Sequence, residues 1–374
     1  MIENVKVLVD GEELFKVSSI SLSECIHGFI STRNTDMNFV LNRIDMAKFQ
    51  AKLAKKKVLS IEIQVADKVW QKSYIDAGTP TVSIDAISGY SISLPVIDIF
   101  SPISGEVHGD VIDSYYVTHS TVDGAIKYVL SELGFDTKNT FKVVYGKGVS
   151  QIKLKNGGNK EATHGGSASD FLGNICSLYH VILRSNGVDT ITIEQYNSNS
   201  KPTYNLYVEL DTNGNIYRSN TEFVEKKGSD SKTPARAVII NSNKKAKDAS
   251  ISSVIVNFAG GMPYSQSIKR ISSSASYSQI AEGINYKNMG MTARANSYTY
   301  GLPARVFDKN GNFFAINTLV SVFDEVFGIN EPMNILGFTT VIDAESGSKT
   351  TMNIANTQSL DTLDNLKVDK SLIK

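Results

Sequence analysis

Cysteine is scarce in this chain, with only Cys25 and Cys176 among 374 residues. The two lie far apart and follow no metal-ligand spacing, so both are expected as buried free thiols in a protein that folds in a reducing compartment. Net charge is also missing: 38 basic residues cancel 38 acidic ones. That balance excludes attraction of the whole chain to nucleic acid or an anionic membrane, and leaves only local patches. No stretch approaches the ~18 uninterrupted apolar residues of a membrane span. The opening Met1-Ile2-Glu3-Asn4-Val5-Lys6 lacks the regions of a signal peptide. A soluble protein made in a cytoplasm is the expectation. The single tryptophan, Trp70, offers little for the exposed aromatic platforms of a glycan binder.

Catalytic signatures are equally sparse. His27, His108, His119, His164 and His180 are isolated from one another, and none falls in a metal-binding spacing. His119 with Asp113 and Ser120 is the nearest approach to a hydrolytic set, but no serine sits in a nucleophile elbow. Asp211-Thr212-Asn213-Gly214-Asn215 and Asp308-Lys309-Asn310-Gly311-Asn312 begin like calcium loops, yet their sixth positions are Ile216 and Phe313 instead of glycine. Both read as hairpin turns around Asn-Gly. Gly146-Lys147-Gly148-Val149-Ser150 lacks the P-loop spacing and is expected to lead into a strand over Gln151 to Leu154. Tyr298 and Tyr300, near Arg294 and Arg305, resemble a stacking platform for single-stranded nucleic acid. Strand alternation instead makes the two tyrosines same-face packing residues. No catalytic, cofactor-binding or metal-ligating residue is assigned, no cofactor is implied, and the chain is read as a non-enzyme.

What the sequence does contain is strand patterning. Val5, Val7 and Val9 alternate up to Asp10-Gly11, a hairpin signal, with a second arm expected over Leu14 to Ile20. Ile26 to Ile30 and Met37 to Leu41 continue the β pattern, and Asp45 is the expected cap of a short helix carrying Met46, Phe49 and Leu53. Strands then return from Ile61 to Leu94. A helix is predicted after Ser120 or Thr121, with Ile126, Val129, Leu130 and Leu133 on one face and a stop at Gly134. Another starts near Ser169 and Asp170, and strands flank the loop Ser185-Asn186-Gly187. Gly228 to Pro234 is the clearest linker, followed by strands at Ala237 to Ile240 and Ile251 to Phe258. A helix is predicted over Ser276 to Asn296, a hairpin-like block over Ala304 to Ile335, and a strand over Gly337 to Asp343.

In order and type of segment the chain resembles the baseplate hub proteins of contractile phage tails, the Mu-like family related in architecture to the amino-terminal part of type VI secretion spike proteins. The carrying segments are Val7-Leu8-Val9-Asp10-Gly11-Glu12, Thr121-Val122-Asp123-Gly124-Ala125-Ile126, Ser169-Asp170-Phe171-Leu172 through Ile193-Glu194, and Gly301 through Met333. The resemblance implies a mainly β fold with an α/β middle: two β-barrel-like tube domains plus an inserted α/β domain. The expected division is a first barrel at 1–98, the α/β insertion at 99–205, and connecting strands and linker at 206–235. A second barrel with an interrupting helix follows at 236–355, then a carboxy-terminal tail at 356–374. The implied function is a homotrimeric ring that adapts the six-fold tail tube to the three-fold central spike and leaves a channel for DNA passage. Implied partners are the spike, the tube and other baseplate proteins, with DNA only in transit and no stable membrane association. The implied location is the virion baseplate, after assembly in the host cytoplasm. The competing classes are a tail-associated cell-wall hydrolase and a glycan-binding adhesive tail protein. In the tail, Leu360, Leu363 and Leu366 share one side of a possible short helix.

Overall fold

The computed structural model describes residues 5–13, 16–56, 58–76, 80–85, 89–104, 111–117, 119–154, 161–196, 201–228, 234–241, 252–258, 262–271, 276–360 and 367. The fold is mainly β with an α/β middle. A four-stranded sheet, a fourteen-stranded sheet, a three-stranded sheet and a two-stranded ribbon hold its strands, and four helices are present among the described residues.

The opening alternation forms the strand Val5–Val9, and Asp10 and Gly11 both adopt the positive φ that a tight hairpin needs. The return arm is shorter than the sequence suggests: Glu12–Glu13 pairs back, whereas Val17–His27 leaves for a different sheet. Val5–Val9 pairs instead with Val58–Val65, which pairs with Lys68–Asp76. This small sheet lays Val7, Ile61, Ile63 and Trp70 against Ile20, Leu22, Met37, Phe39, Ile92 and Leu94 of the large one, giving a sandwich core. Helix α1, Arg43–Lys55, buries Met46 and Phe49 in the same core. Its cap is Asn42, whose side chain accepts the Asp45 N–H, so the helix begins earlier than the Asp45 cap predicted.

The middle of the chain packs α2, Val122–Glu132, and α3, Ala168–Tyr179, on the strands Lys142–Tyr145, Thr190–Glu194 and Ile182–Ser185. Thr121 caps α2 and Asp123 sits in its first turn, as the sequence predicts. Residues 151–154 do not form the expected strand: Lys153 makes a single bridge to Thr121. The parallel pairing of Ile182–Ser185 with Ile30–Leu41 fuses this unit to the large sheet.

The carboxy-terminal β unit is organised by one strand of 15 residues, Ile329–Asp343. Along one edge its first part pairs with Leu319–Asp324 and its later part with Val17–His27, while its other edge pairs with Gly347–Ala355. A register irregularity between Ile335 and Gly337 marks the changeover. The pairing network of the large sheet branches but does not close on itself among the described residues, so no hydrogen-bonded barrel is formed there. Pro234–Asn241, Ser252–Asn257 and Met262–Ile271 make the three-stranded sheet, which packs on α4, Tyr277–Ala295, through Ile239, Val256, Ile280 and Ala281. Helix α4 opens with a capping box between Ser276 and Gln279. Of the tail, Gln358–Leu360 forms a short 3-10 turn with Leu360 buried, and Leu363 and Leu366 lie outside the described residues.

Candidate functional site

Two features stand out: a buried charged junction and a cleft. The junction follows from strand phase. In Val17–His27 the inward positions run Ile20, Leu22, Glu24, and in Ile30–Leu41 they run Arg33, Thr35, Met37, Phe39, Leu41. Antiparallel register sets Glu24 directly opposite Arg33. Strand Ile182–Ser185 then brings Arg184 to the other side of the same carboxylate.

Glu24 accepts from Arg184 Nε at 2.7 Å, from Arg33 Nε at 3.3 Å and from the Ser31 hydroxyl at 3.2 Å. Arg33 also donates to the carbonyls of Trp70 and Asn186, at 2.9 and 2.8 Å, and lies 4.3 Å over the Trp70 ring. Beside it, Asp98 accepts from the Arg33 and Phe100 N–H groups and from the Ser185 hydroxyl. Burial alone raises the Glu24 carboxyl pKa, but the Arg184 and Arg33 guanidiniums outweigh it and hold the group below its ordinary value. Burial raises Asp98 above its ordinary value against the pull of its three hydrogen bonds and of Arg33. Gly187 closes the corner at a φ of 73°, where a Cβ would stand 2.8 Å from Arg33 Cδ and 3.0 Å from the Trp70 carbonyl. With Glu24 wholly enclosed, this cluster has no route to a substrate. It fixes the α/β middle onto the first β unit.

The cleft, about 610 Å³, opens between α3, α4 and the strand Met262–Ile271. Its wall is apolar at Phe29, Ile280, Ile284 and Met291, and cationic at Lys269, Lys287 and Arg294, with Asp170 as the acid. Tyr196 is hydrogen-bonded to Arg294 and is raised in pKa chiefly by burial. Tyr286 is buried and its hydroxyl has no hydrogen-bond partner among the described residues.

The sequence candidates disperse. Asp211 and Asp308 each accept N–H groups of their own turns, so both loops are the Asn-Gly turns expected. Gly146 to Val149 is a turn as well, closed by Val149 N–H to the Gly146 carbonyl. The His119 ring lies against Tyr128, and the side chain of Asp113 lies outside the described residues, as does His108. Tyr300 is fully buried and donates to Asp324 at 2.7 Å, and Tyr298 packs on Phe327, so the pair is packing and not a nucleic-acid platform. Cys176 is buried, its thiol pushed up in pKa by burial, and Cys25 is half-buried, so the expectation of buried thiols holds for Cys176 alone; the two are not joined in a disulfide. Sequence reasoning missed the Glu24 junction altogether. The available signal was a carboxylate and a guanidinium standing in the inward phase of two apolar strands.

No protein-family model matches the chain, and no curated protein matches it. Solved structures do, and what they share is the fold of phage tail proteins. The tail protein from Neisseria meningitidis MC58 superposes with a TM-score of 0.70 at 12% identity, covering 97% of this chain and 98% of that one. The 43 kDa tail protein of prophage MuSo2 from Shewanella oneidensis gives 0.65 at 13%, covering 98% and 100%. An E. coli component of the type VI secretion system, described as structurally similar to the T4 tail proteins gp27 and gp5, gives 0.51 at 9%, covering 95% and 78%. These neighbours are described as tail or secretion-machine proteins, and at 9–13% identity the likeness is one of fold.

Proposed function

We propose that this chain is the structural hub of a contractile phage-tail baseplate: a homotrimer whose two β units per chain build a ring between the six-fold tail tube and a three-fold central spike, around a channel for DNA. The observation that carries the reading is the near end-to-end correspondence of fold with a phage tail protein, 97% of this chain against 98% of that one. In this reading the regions 1–98 and 236–355 with their connecting strands at 206–235 form the ring, 99–205 is an outer brace, and 356–374 is a tail.

Exposed strand edges support assembly. Among the described residues Thr81–Asp85 pairs on one side only and presents Ile84 at 73% exposure, and Ile216–Ser219, likewise at an edge there, presents Ile216 and Tyr217 at 62% and 76%. Unpaired edges that carry apolar side chains are a liability in a lone chain and are covered in a ring. A heterologous contact that closes after three steps would bury them.

The test is the mass of the purified chain by light scattering over a range of concentrations, with and without a candidate spike protein. A trimer, alone or with spike, is expected. A chain that stays monomeric at every concentration and ignores the spike overturns the hub reading.

A further inference from the structure

We propose that the cleft between α3, α4 and Met262–Ile271 is a binding site for a small organic anion, a carboxylate head on an apolar body. The lining follows from the spacing of α4. Ile280, Ile284, Lys287, Met291 and Arg294 recur every three or four residues, so one face of the helix supplies both apolar and cationic wall. Gly283 on that face lets α4 lie on the α3 backbone, since a Cβ there would stand 3.2 Å from the Ser177 carbonyl. Phe29, from the turn before Ile30–Leu41, and Ile268 of Met262–Ile271 add apolar lining. The volume of about 610 Å³ lies in the range of roughly 300–1,000 Å³ typical of small-molecule sites.

The polar lining is short of acceptors. Lys269 is provided for: its ammonium donates to the Asn174 side-chain oxygen and is acted on by the charge of Asp170, the one acid of the lining. Lys287 and Arg294 have no ion-pair partner among the described residues. Arg294 is hydrogen-bonded to the Tyr196 phenol, which offers it no charge, and is close enough to act on Tyr286 as well. Two buried donors of the lining, the Tyr286 hydroxyl and the Asn288 amide nitrogen, have no hydrogen-bond partner among the described residues. Buried donors left without acceptors are costly. A carboxylate answers this set: it accepts several hydrogen bonds, forks onto a guanidinium, and brings negative charge to a lining whose three cations outnumber its one acid. A cationic head is repelled, and a neutral one leaves the guanidinium uncompensated. The head therefore belongs at Arg294 and Tyr286, and Phe29, Ile284 and Met291 require the body to be apolar. The site lies within one chain, so it stands or falls apart from the hub reading.

The experiment is calorimetric titration of the full chain with octanoate, kept below the concentration at which it forms micelles. Octanoate is expected to bind once per chain. Octanol and octylammonium, the same body with a neutral and a cationic head, are expected to bind at least about tenfold more weakly, as is octanoate to Arg294→Gln, because each change removes a charge-assisted pair. Tyr286→Phe is expected to weaken octanoate several-fold. Lys287 is exposed, so Lys287→Glu alters the charge of the lining without touching the interior, and is expected to weaken octanoate while leaving the melting temperature in place. Absence of saturable octanoate binding to the wild-type chain overturns the inference. So does equal affinity for the three heads, and so does an octanoate affinity that none of the substitutions changes, which would put the probe elsewhere on the chain.

Discussion

Replacing Glu24 with glutamine removes one charge and almost no volume, and leaves the guanidiniums of Arg33 and Arg184 facing each other in the protein interior. Breaking a buried ion pair by deleting one partner costs about 3–5 kcal/mol, because the surviving charge keeps its desolvation penalty without its counter-ion. A chain of 374 residues unfolding as a unit, at about 2.1 cal/mol/K per residue, has an unfolding entropy near 0.8 kcal/mol/K, so the melting temperature is expected to fall by about 4–6 °C. The acid profile gives a second readout. Glu24 has its pKa depressed in the folded state, so its contribution is present above the unfolded value and is lost as pH falls through the folded one. Wild type therefore loses an increment of stability below pH 4.5 that Glu24→Gln lacks, and the two melting curves converge at low pH. Calorimetry from pH 3.5 to pH 7 measures both effects. As a control, Glu12→Gln removes the partner of Lys52 in an exposed pair and is expected to leave the melting temperature unchanged. A Glu24→Gln protein as stable as wild type at pH 7, or a deficit that does not shrink in acid, would refute the reasoning.

Gly187→Ala forces a side chain into a left-handed backbone position and onto Arg33, so a loss of about 2–3 kcal/mol in urea denaturation is expected, and the loss should be less than additive with Glu24→Gln because both disturb one cluster. Glu194 has its pKa raised by burial and by the Glu24 charge, so its stabilising contribution is present at low pH and is lost as pH rises through the folded value. Glu194→Gln, which can still accept from Asn317, is expected to gain stability relative to wild type between pH 4 and pH 7, as read by thermal melts. Ser276→Ala deletes one half of the α4 capping box and should cost about 1 kcal/mol by denaturant titration.

Local chemistry made the helices readable. Helix α4 is announced by Ser276 and Gln279 at capping-box spacing, and α2 by Thr121 with Asp123 behind it. Where two residues compete for one role, as Asn42 and Asp45 do at α1, sequence alone picks either. Pairing partners were not readable. The strand over Gly337 to Asp343 was visible, but nothing local says that it lies against Ser19 to Cys25, some 300 residues away, since register is set by long-range burial. The same distance hides the junction: Glu24 and Arg33 are neighbours across one hairpin, whereas Arg184 arrives through a parallel crossover. Each is an ordinary charged residue until the strands are assembled.

The long strand Ile329–Asp343 has a mechanical consequence. Because Leu319–Asp324 and Val17–His27 lie end to end along one of its edges, a pull that separates the two β units along the strand axis loads the ladder on each side in shear. Hydrogen bonds in that geometry bear tension together, not one after another as they do when a hairpin is peeled open. A particle that drives a tube through an envelope subjects its parts to axial impulse. Under the proposed hub function such an impulse would run along the continuous backbone of Ile329–Asp343, so the two β units are expected to recoil as one stiff body.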